Sequence, residues 1–157
     1  MYNTKMKNVS ENKVLQMFIE KYGNNLVILK GSDIPNVKWV KKNMKNQIVL
    51  IINAKNPELP KTDLGNERTI EFCFIKDNVI TWIDVQHLLT PSSIANILLG
   101  KINAAKKCKD VYLFPVDGNG YTNTNMKTYN TFIKTLIKND YGCNVRVFRL
   151  SELIDFI

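Results

Sequence analysis

Histidine is nearly absent from this chain, with His87 the only one, and arginine is scarce at 3 residues, Arg68, Arg146 and Arg149. Cysteine is limited to Cys73, Cys108 and Cys143, which stand 35 apart with no CxxC pair. So few ligands at such spacing argue against a zinc site and against a disulfide framework. Buried thiols in a reducing compartment are the expectation. No apolar run approaches the ~20 residues that span a bilayer. The opening stretch "MYNTKMKNVSENK" lacks the apolar centre of a signal peptide. An intracellular protein, cytoplasmic or nuclear, with no membrane partner is expected.

What the chain does have is apolar content and lysine. Its 157 residues are 45% hydrophobic, and a domain of that size buries about two-thirds of its unfolded surface. One domain over residues 1–157 is expected. The net charge is +8, carried by 19 Lys against 14 acids. A surplus of this kind favours a polyanionic partner, above all nucleic acid. Lysine suits loose phosphate contact, whereas base reading leans on arginine. The 20 asparagines, with many Lys and Ile, also match an AT-rich coding genome, so codon bias shares in the charge.

Periodicity supplies the elements. Ser10 is positioned to cap a helix running to Tyr22, with Val14, Met17, Phe18, Lys21 and Tyr22 on one face and Gly23 as its stop. "NLVILK" reads as a strand, and "GSDIPNVKWVKKNMKN" as a short helix with one apolar edge. "QIVLIINAK" (47–55) is a strand, followed by a loop over 56–67 rich in Pro and Gly. "RTIEFCFIK" and "VITWIDV" flank Asp77-Asn78, a two-residue hairpin turn. Thr90-Pro91 opens a helix, Pro costing nothing at its first position, with Ile94, Ile97, Leu98, Ile102 and Ala105 as the buried stripe. "DVYLFPV" is a strand. A helix over 123–138 follows, with Met126, Tyr129, Ile133, Leu136 and Ile137 apolar. "NVRVFRL" is the last strand, and Ser151 caps a terminal turn. The fold class is α/β: a mixed sheet with a three-strand antiparallel meander, then α-β-α-β crossovers of right-handed sense.

Those elements, with "IDVQHLLTPSSIANILLGKINAAKKCKDVYLFPVDGNGYTNTN" and "NVRVFRLSELIDFI", resemble the core of the PD-(D/E)xK restriction-endonuclease-like superfamily, and more particularly Mrr-type restriction endonucleases. The resemblance covers residues 68–157, with a first helix at 10–22. It implies a divalent-metal-dependent phosphodiesterase; origin in a mobile element or virus is expected from the AT-rich composition. Asp84 then takes the first acidic position of the (D/E)xK motif, Glu71 on the preceding strand the other metal-binding carboxylate, and Glu20 an extra acid. Glu71 and Asp84 would hold Mg²⁺, which polarises a phosphate and lowers the pKa of an attacking water. The sequence departs from the pattern in two places. The motif lysine is Gln86, and no Pro-Asp pair stands at Glu71. Lys101 on the following helix and Lys76 at the turn are the candidates to replace the missing charge. The bland alternative is that Glu71 and Asp84 are solvent-facing strand residues, on a non-catalytic scaffold or an interaction subunit with protein partners or further copies of itself.

Two more stretches carry candidates. Lys38, Lys41, Lys42 and Lys45 crowd around Trp39, a pattern that binds phosphates and stacks a base, or else is a solvated face with Trp39 packed inward. Gly118, Asn119 and Gly120 lie between a strand and a helix, where free N–H groups bind phosphate, as in a Rossmann-like nucleotide module. That loop lacks the full GxGxxG pattern. Asp117, Asn119 and Asn123 imitate part of a calcium loop, but Thr128 stands where a Glu is required. Ser92, Ser93 and the three cysteines have no legible His/Asp partner for nucleophilic catalysis, and His87, a lone histidine beside a strand end, reads as a structural hydrogen-bonder rather than a general base.

Overall fold

A computed structural model of the chain describes residues 4–59, 68–87, 91–117 and 126–157. Within them the elements run α1 (Thr4–Tyr22), β1 (Leu26–Lys30), α2 (Val37–Asn43), β2 (Ile48–Lys55), β3 (Thr69–Lys76), β4 (Val79–Ile83), β5 (Gln86–His87), α3 (Pro91–Ala105), β6 (Val111–Asp117), α4 (Met126–Lys138) and β7 (Val145–Arg149), then a 3-10 turn (Leu150–Asp155). No described helix is long and apolar enough to cross a membrane. From residue 60 on, the expected loop lies outside the described residues, as do Gly118, Asn119, Gly120 and Asn123.

The strands form one mixed sheet in which β2, β3 and β4 are the antiparallel meander. β1 joins β2 in parallel at one edge, and β6 and β7 extend the other side in parallel. The meander's tight turn is as expected: Asp77 and Asn78 have φ of +51° and +68°. Two consecutive left-handed residues match the right-handed twist of the flanking strands, and Asp and Asn tolerate that region better than most residues.

Why the central strands read as nearly unbroken apolar runs follows from their being covered on both faces. On one face Leu50, Phe72, Phe74, Ile83, Leu113 and Phe148 pack against Val14 and Phe18 of α1 and Leu153 of the terminal turn. On the other, Val49, Ile51, Cys73, Trp82, Tyr112 and Phe114 meet Val37 and Val40 of α2, Leu98 and Ile102 of α3, and Ile133 and Leu136 of α4. The three crossover helices α2, α3 and α4 thus share one face, and α1 takes the opposite one.

Several sequence expectations need correction. Ser10 lies inside α1, fully buried. Its hydroxyl donates to Asp117 Oδ2 at 2.7 Å, because in the helix interior there is no free backbone N–H for it to cap. α1 begins at Thr4 instead. Of the three thiols, Cys143 is exposed, since it follows the left-handed Gly142 in the short link from α4 to β7.

Gly31 passes so close to β2 that a Cβ there would stand 2.0 Å from the Asn53 carbonyl oxygen. Asn53 itself has φ of +57°. Gly31→Ala must therefore push two backbone segments apart, and a loss of about 2 kcal/mol or more is expected in urea unfolding. A second measurement concerns the thiols. Burial, the larger cause, and then the charge of Asp110 hold the Cys73 thiol well above its ordinary value. Burial also leads in raising Cys108, followed by the charges of Glu58 and Asp110. In the native protein at neutral pH one thiol, Cys143, is expected to react rapidly with a disulfide reagent, and Cys143→Ser removes that fast phase.

Candidate functional site

The site begins with a fault in the sheet. β4 and β5 pair with β6 in one constant register, Thr81↔Val111 through Ile83↔Leu113 and again Gln86↔Val116. They are one strand interrupted at Asp84-Val85. In β6 the Tyr112 N–H donates to Asn144 O on the β7 side, and Leu113 O accepts from Asp84 N–H at 3.0 Å. Odd-numbered residues of β6 therefore turn their peptide groups towards β4, and Pro115 among them has no N–H. The donor due to the Asp84 carbonyl is missing. Gln86 Nε2 supplies a substitute, donating to Asp84 O at 3.3 Å and to Asp84 Oδ2 at 3.1 Å.

Across the hairpin, β3 pairs with β4 through Phe72↔Ile83, so the next step of that register sets Glu71 opposite Asp84. Glu71 Oε2 accepts from Val85 N–H at 3.3 Å. Alternation along β3 and β4 puts both acids on the face with Cys73 and Trp82, the face that α3 covers. Both are buried, at 9% and 7% exposure, so they are not solvent-facing strand residues. One turn beyond Leu98, Lys101 extends from α3 and places its ammonium 3.1 Å from Asp84 Oδ2. The pair is unequal in exposure: the Lys101 side chain is 46% accessible and the Asp84 side chain 10%. Two acids and one lysine are gathered from β3, β4 and α3.

The other replacements for the motif lysine and the extra acid do not reach this place. Lys76 lies at the far end of β3, where its ammonium meets the Tyr22 hydroxyl at 3.5 Å and lies over that ring at 5.3 Å from the centroid. Glu20 is exposed on α1, which packs on the opposite face of the sheet. His87 contributes backbone pairing to Asp117 through β5.

Charge here also reaches Tyr112. Burial, the largest cause, and then the charge of Asp84 push its phenol up far above the ordinary 10.0. The ring is a neutral wall beneath the acids. As ligands, Glu71 and Asp84 are two hard oxygen donors, and among the described residues no group of three or more His, Cys, Asp or Glu is placed to hold a metal. A pair of carboxylates completed by water and phosphate oxygens suits Mg²⁺, which rarely takes an all-protein cage.

Sequence reasoning missed the role of a third acid. Asp117, 3% exposed at the end of β6, accepts from Ser10 and pairs with Lys13 Nζ at 3.2 Å. Its alternation with Leu113 puts it on the α1 face, so it ties α1 to the sheet. The signal lies in the Ser10-x-x-Lys13 spacing, which places hydroxyl and ammonium on adjacent turns. The lysine-rich segment behaves differently from its inward-packed alternative. Trp39 is 44% exposed, and Lys38, Lys42 and Lys45 are exposed around it.

Compared with known protein families, curated proteins and solved structures, the chain matches none.

The pKa directions give a pH test. The folded protein keeps protons on Cys73 and Tyr112 that the unfolded chain releases near the ordinary values of 9.0 and 10.0. Stability present at neutral pH is therefore lost as pH rises through those unfolded values. Tyr112→Phe removes one such titration and is expected to flatten the decline above pH 10 by about 1.4 kcal/mol per pH unit in urea midpoints. Asp84→Ala should leave most of that decline in place, because burial is the larger cause.

Proposed function

We propose that the protein binds nucleic acid and carries a restriction-endonuclease-like core whose acids, Glu71 and Asp84, serve divalent-metal-dependent phosphodiester hydrolysis. The observation that carries this reading is the Lys101 ammonium on the Asp84 carboxylate, with Glu71 opposite in register. It supplies from the following helix the positive charge that Gln86 cannot. Element order supports the same reading. α1, the meander β2–β3–β4, the crossover helix α3 and the parallel strand β6 occur in the order of that superfamily's core, with α1 and α3 on opposite faces. β1 and α2 are then an addition between the first helix and the meander.

Each side chain has a definable part in the reaction. A divalent ion held by Glu71 and Asp84 would polarise the scissile phosphate and acidify a water. Gln86, bonded to both the carbonyl and the carboxylate of Asp84, fixes that carboxylate's rotamer. Lys101 is half exposed, so its ammonium can turn from Asp84 to a phosphate oxygen and offset charge developing there. The neutral Tyr112 and the apolar residues beneath lower the local dielectric and strengthen these interactions.

A second reading, a non-catalytic interaction subunit, is favoured by one feature: Asp84 Oδ2 already receives both Lys101 and Gln86. A carboxylate so satisfied is stable without an ion.

Cleavage of single- and double-stranded DNA and RNA with Mg²⁺ or Mn²⁺ separates the two. Activity is expected to fall by about 100-fold or more in Asp84→Ala and in Glu71→Ala, and by about tenfold or more in Lys101→Ala, in line with the loss of one electrostatic stabiliser. Cleavage that survives Asp84→Ala rejects this site. Binding without any cleavage leaves the interaction subunit.

A further inference from the structure

We infer that α2 is a docking element for single-stranded nucleic acid, with Trp39 as the platform for an unpaired base and Lys38, Lys42 and Lys45 as contacts to the strand's phosphates. This deepens the nucleic-acid reading above and rests on it.

The helix is short, seven residues from Val37 to Asn43, and it is built to hold Trp39 outward. Asn36 caps it, its Oδ1 accepting from Trp39 N–H at 2.8 Å, and Asn43 Nδ2 donates to Trp39 O at 2.8 Å. Val37 and Val40 are buried in the core beneath, which fixes the opposite face towards solvent. Trp39 therefore leaves 44% of its surface in water although its backbone is held at both ends. The protein's other tryptophan, Trp82, is 2% exposed, with its Nε1 bonded to Asp110.

The charge around Trp39 is uncompensated. Lys13 and Lys101 have carboxylate partners, whereas among the described residues no acid pairs with Lys38, Lys41, Lys42 or Lys45. Lys38 and Lys42 stand four apart on the helix, a like-charge pair that weakens so short a helix. Bound polyanion relieves that repulsion. From residue 30 to 48 the segment holds five Lys and one acid, Asp33.

The ligand's form follows from the chemistry. A flat, exposed indole among point-charge donors binds any base by its π-face and tracks the backbone without reading base edges. Paired bases in a duplex hide those π-faces. Seven helical residues span about 10 Å, so the helix reaches only a short stretch of a strand. α2 also shares its sheet face with Glu71, Asp84 and Lys101, so a strand held there lies on the acids' side of the sheet.

The test is titration of the full chain, in EDTA, with twelve-nucleotide oligothymidine, oligouridine and a blunt duplex of equal length. Trp39 fluorescence and ligand anisotropy are read together. The expected result is quenching and tighter binding by either single strand than by the duplex. Trp39→Ala should weaken single-strand affinity by about tenfold or more, with Trp39→Phe between the two. A Lys38→Gln, Lys42→Gln double variant should reduce the salt slope by about 1.4, at about 0.7 for each phosphate no longer neutralised. Equal duplex affinity, absence of quenching, or wild-type binding by either Trp39→Ala or the double variant overturns the inference. Single-strand binding with no cleavage by the protein in Mg²⁺ or Mn²⁺ rejects the nuclease reading alone. Cleavage with binding indifferent to Trp39 rejects this one alone.

Discussion

One absent hydrogen-bond donor organises the site. β6 is an interior strand, yet its middle holds Pro115 with its ring nitrogen turned towards β4. The ladder between β4 and β6 must fail at that point, and the residue left without a partner is Asp84. A buried carbonyl in that position costs about 1–3 kcal/mol if nothing replaces the donor. Gln86 replaces it by reaching back two residues, and the same amide then holds the Asp84 carboxylate. A lysine at 86 would have to divide its ammonium between the carbonyl, the carboxylate and any phosphate. With glutamine there, the carboxylate's cationic partner is Lys101, which comes from a different element and is free of the ladder's geometry.

The sheet separates two kinds of polar burial. On the α1 face, Asp117 binds Ser10 and Lys13, and the arrangement fastens the first helix to the last third of the chain. Sequence separation there exceeds 100 residues, so the contact ties distant parts of the chain together. On the α3 face the acids are paired with a half-exposed lysine and lie above Tyr112. The first arrangement is a fastening whose donors come from a packed helix. The second includes Lys101, whose half-exposed side chain retains rotamer freedom in solvent.

Much of the fold was legible because local chemistry and global packing agree. Asp77-Asn78 between two alternating runs gave the hairpin, and both residues adopt the left-handed region that such a turn requires. The apolar stretches of β3 and β6 read as strands, and the structure covers them on both faces. The site was legible only as a register: Glu71 and Asp84 stand symmetrically about the turn, so any tight hairpin sets them opposite each other. What could not be read was which distant side chain approaches them. The hairpin register already sets Lys76 beside the turn, far from the acids, but the approach of Lys101 depends on the return of α3 over the sheet. Pro115 is the sequence's one cue to the fault, since a proline in an interior strand announces a gap in the ladder. Ser10 misled because a serine near a helix start fits a cap as well as it fits a buried hydroxyl.

Lysine enrichment alone says little, since composition spreads charge over every surface. Placement is what discriminates. Where this chain uses lysine structurally it supplies an acceptor or a ring: Asp117 for Lys13, Asp84 for Lys101, the Tyr22 ring and hydroxyl for Lys76, the Tyr141 ring for Lys106. On α2 none is found among the described residues, and the helix adds an exposed indole while being too short to be stable without its two buried valines. The valines do the folding and therefore leave the outer residues unconstrained by packing. Among the described residues, that face combines like-charge repulsion with an exposed aromatic and no acidic partner, which sets it apart from the lysines named above.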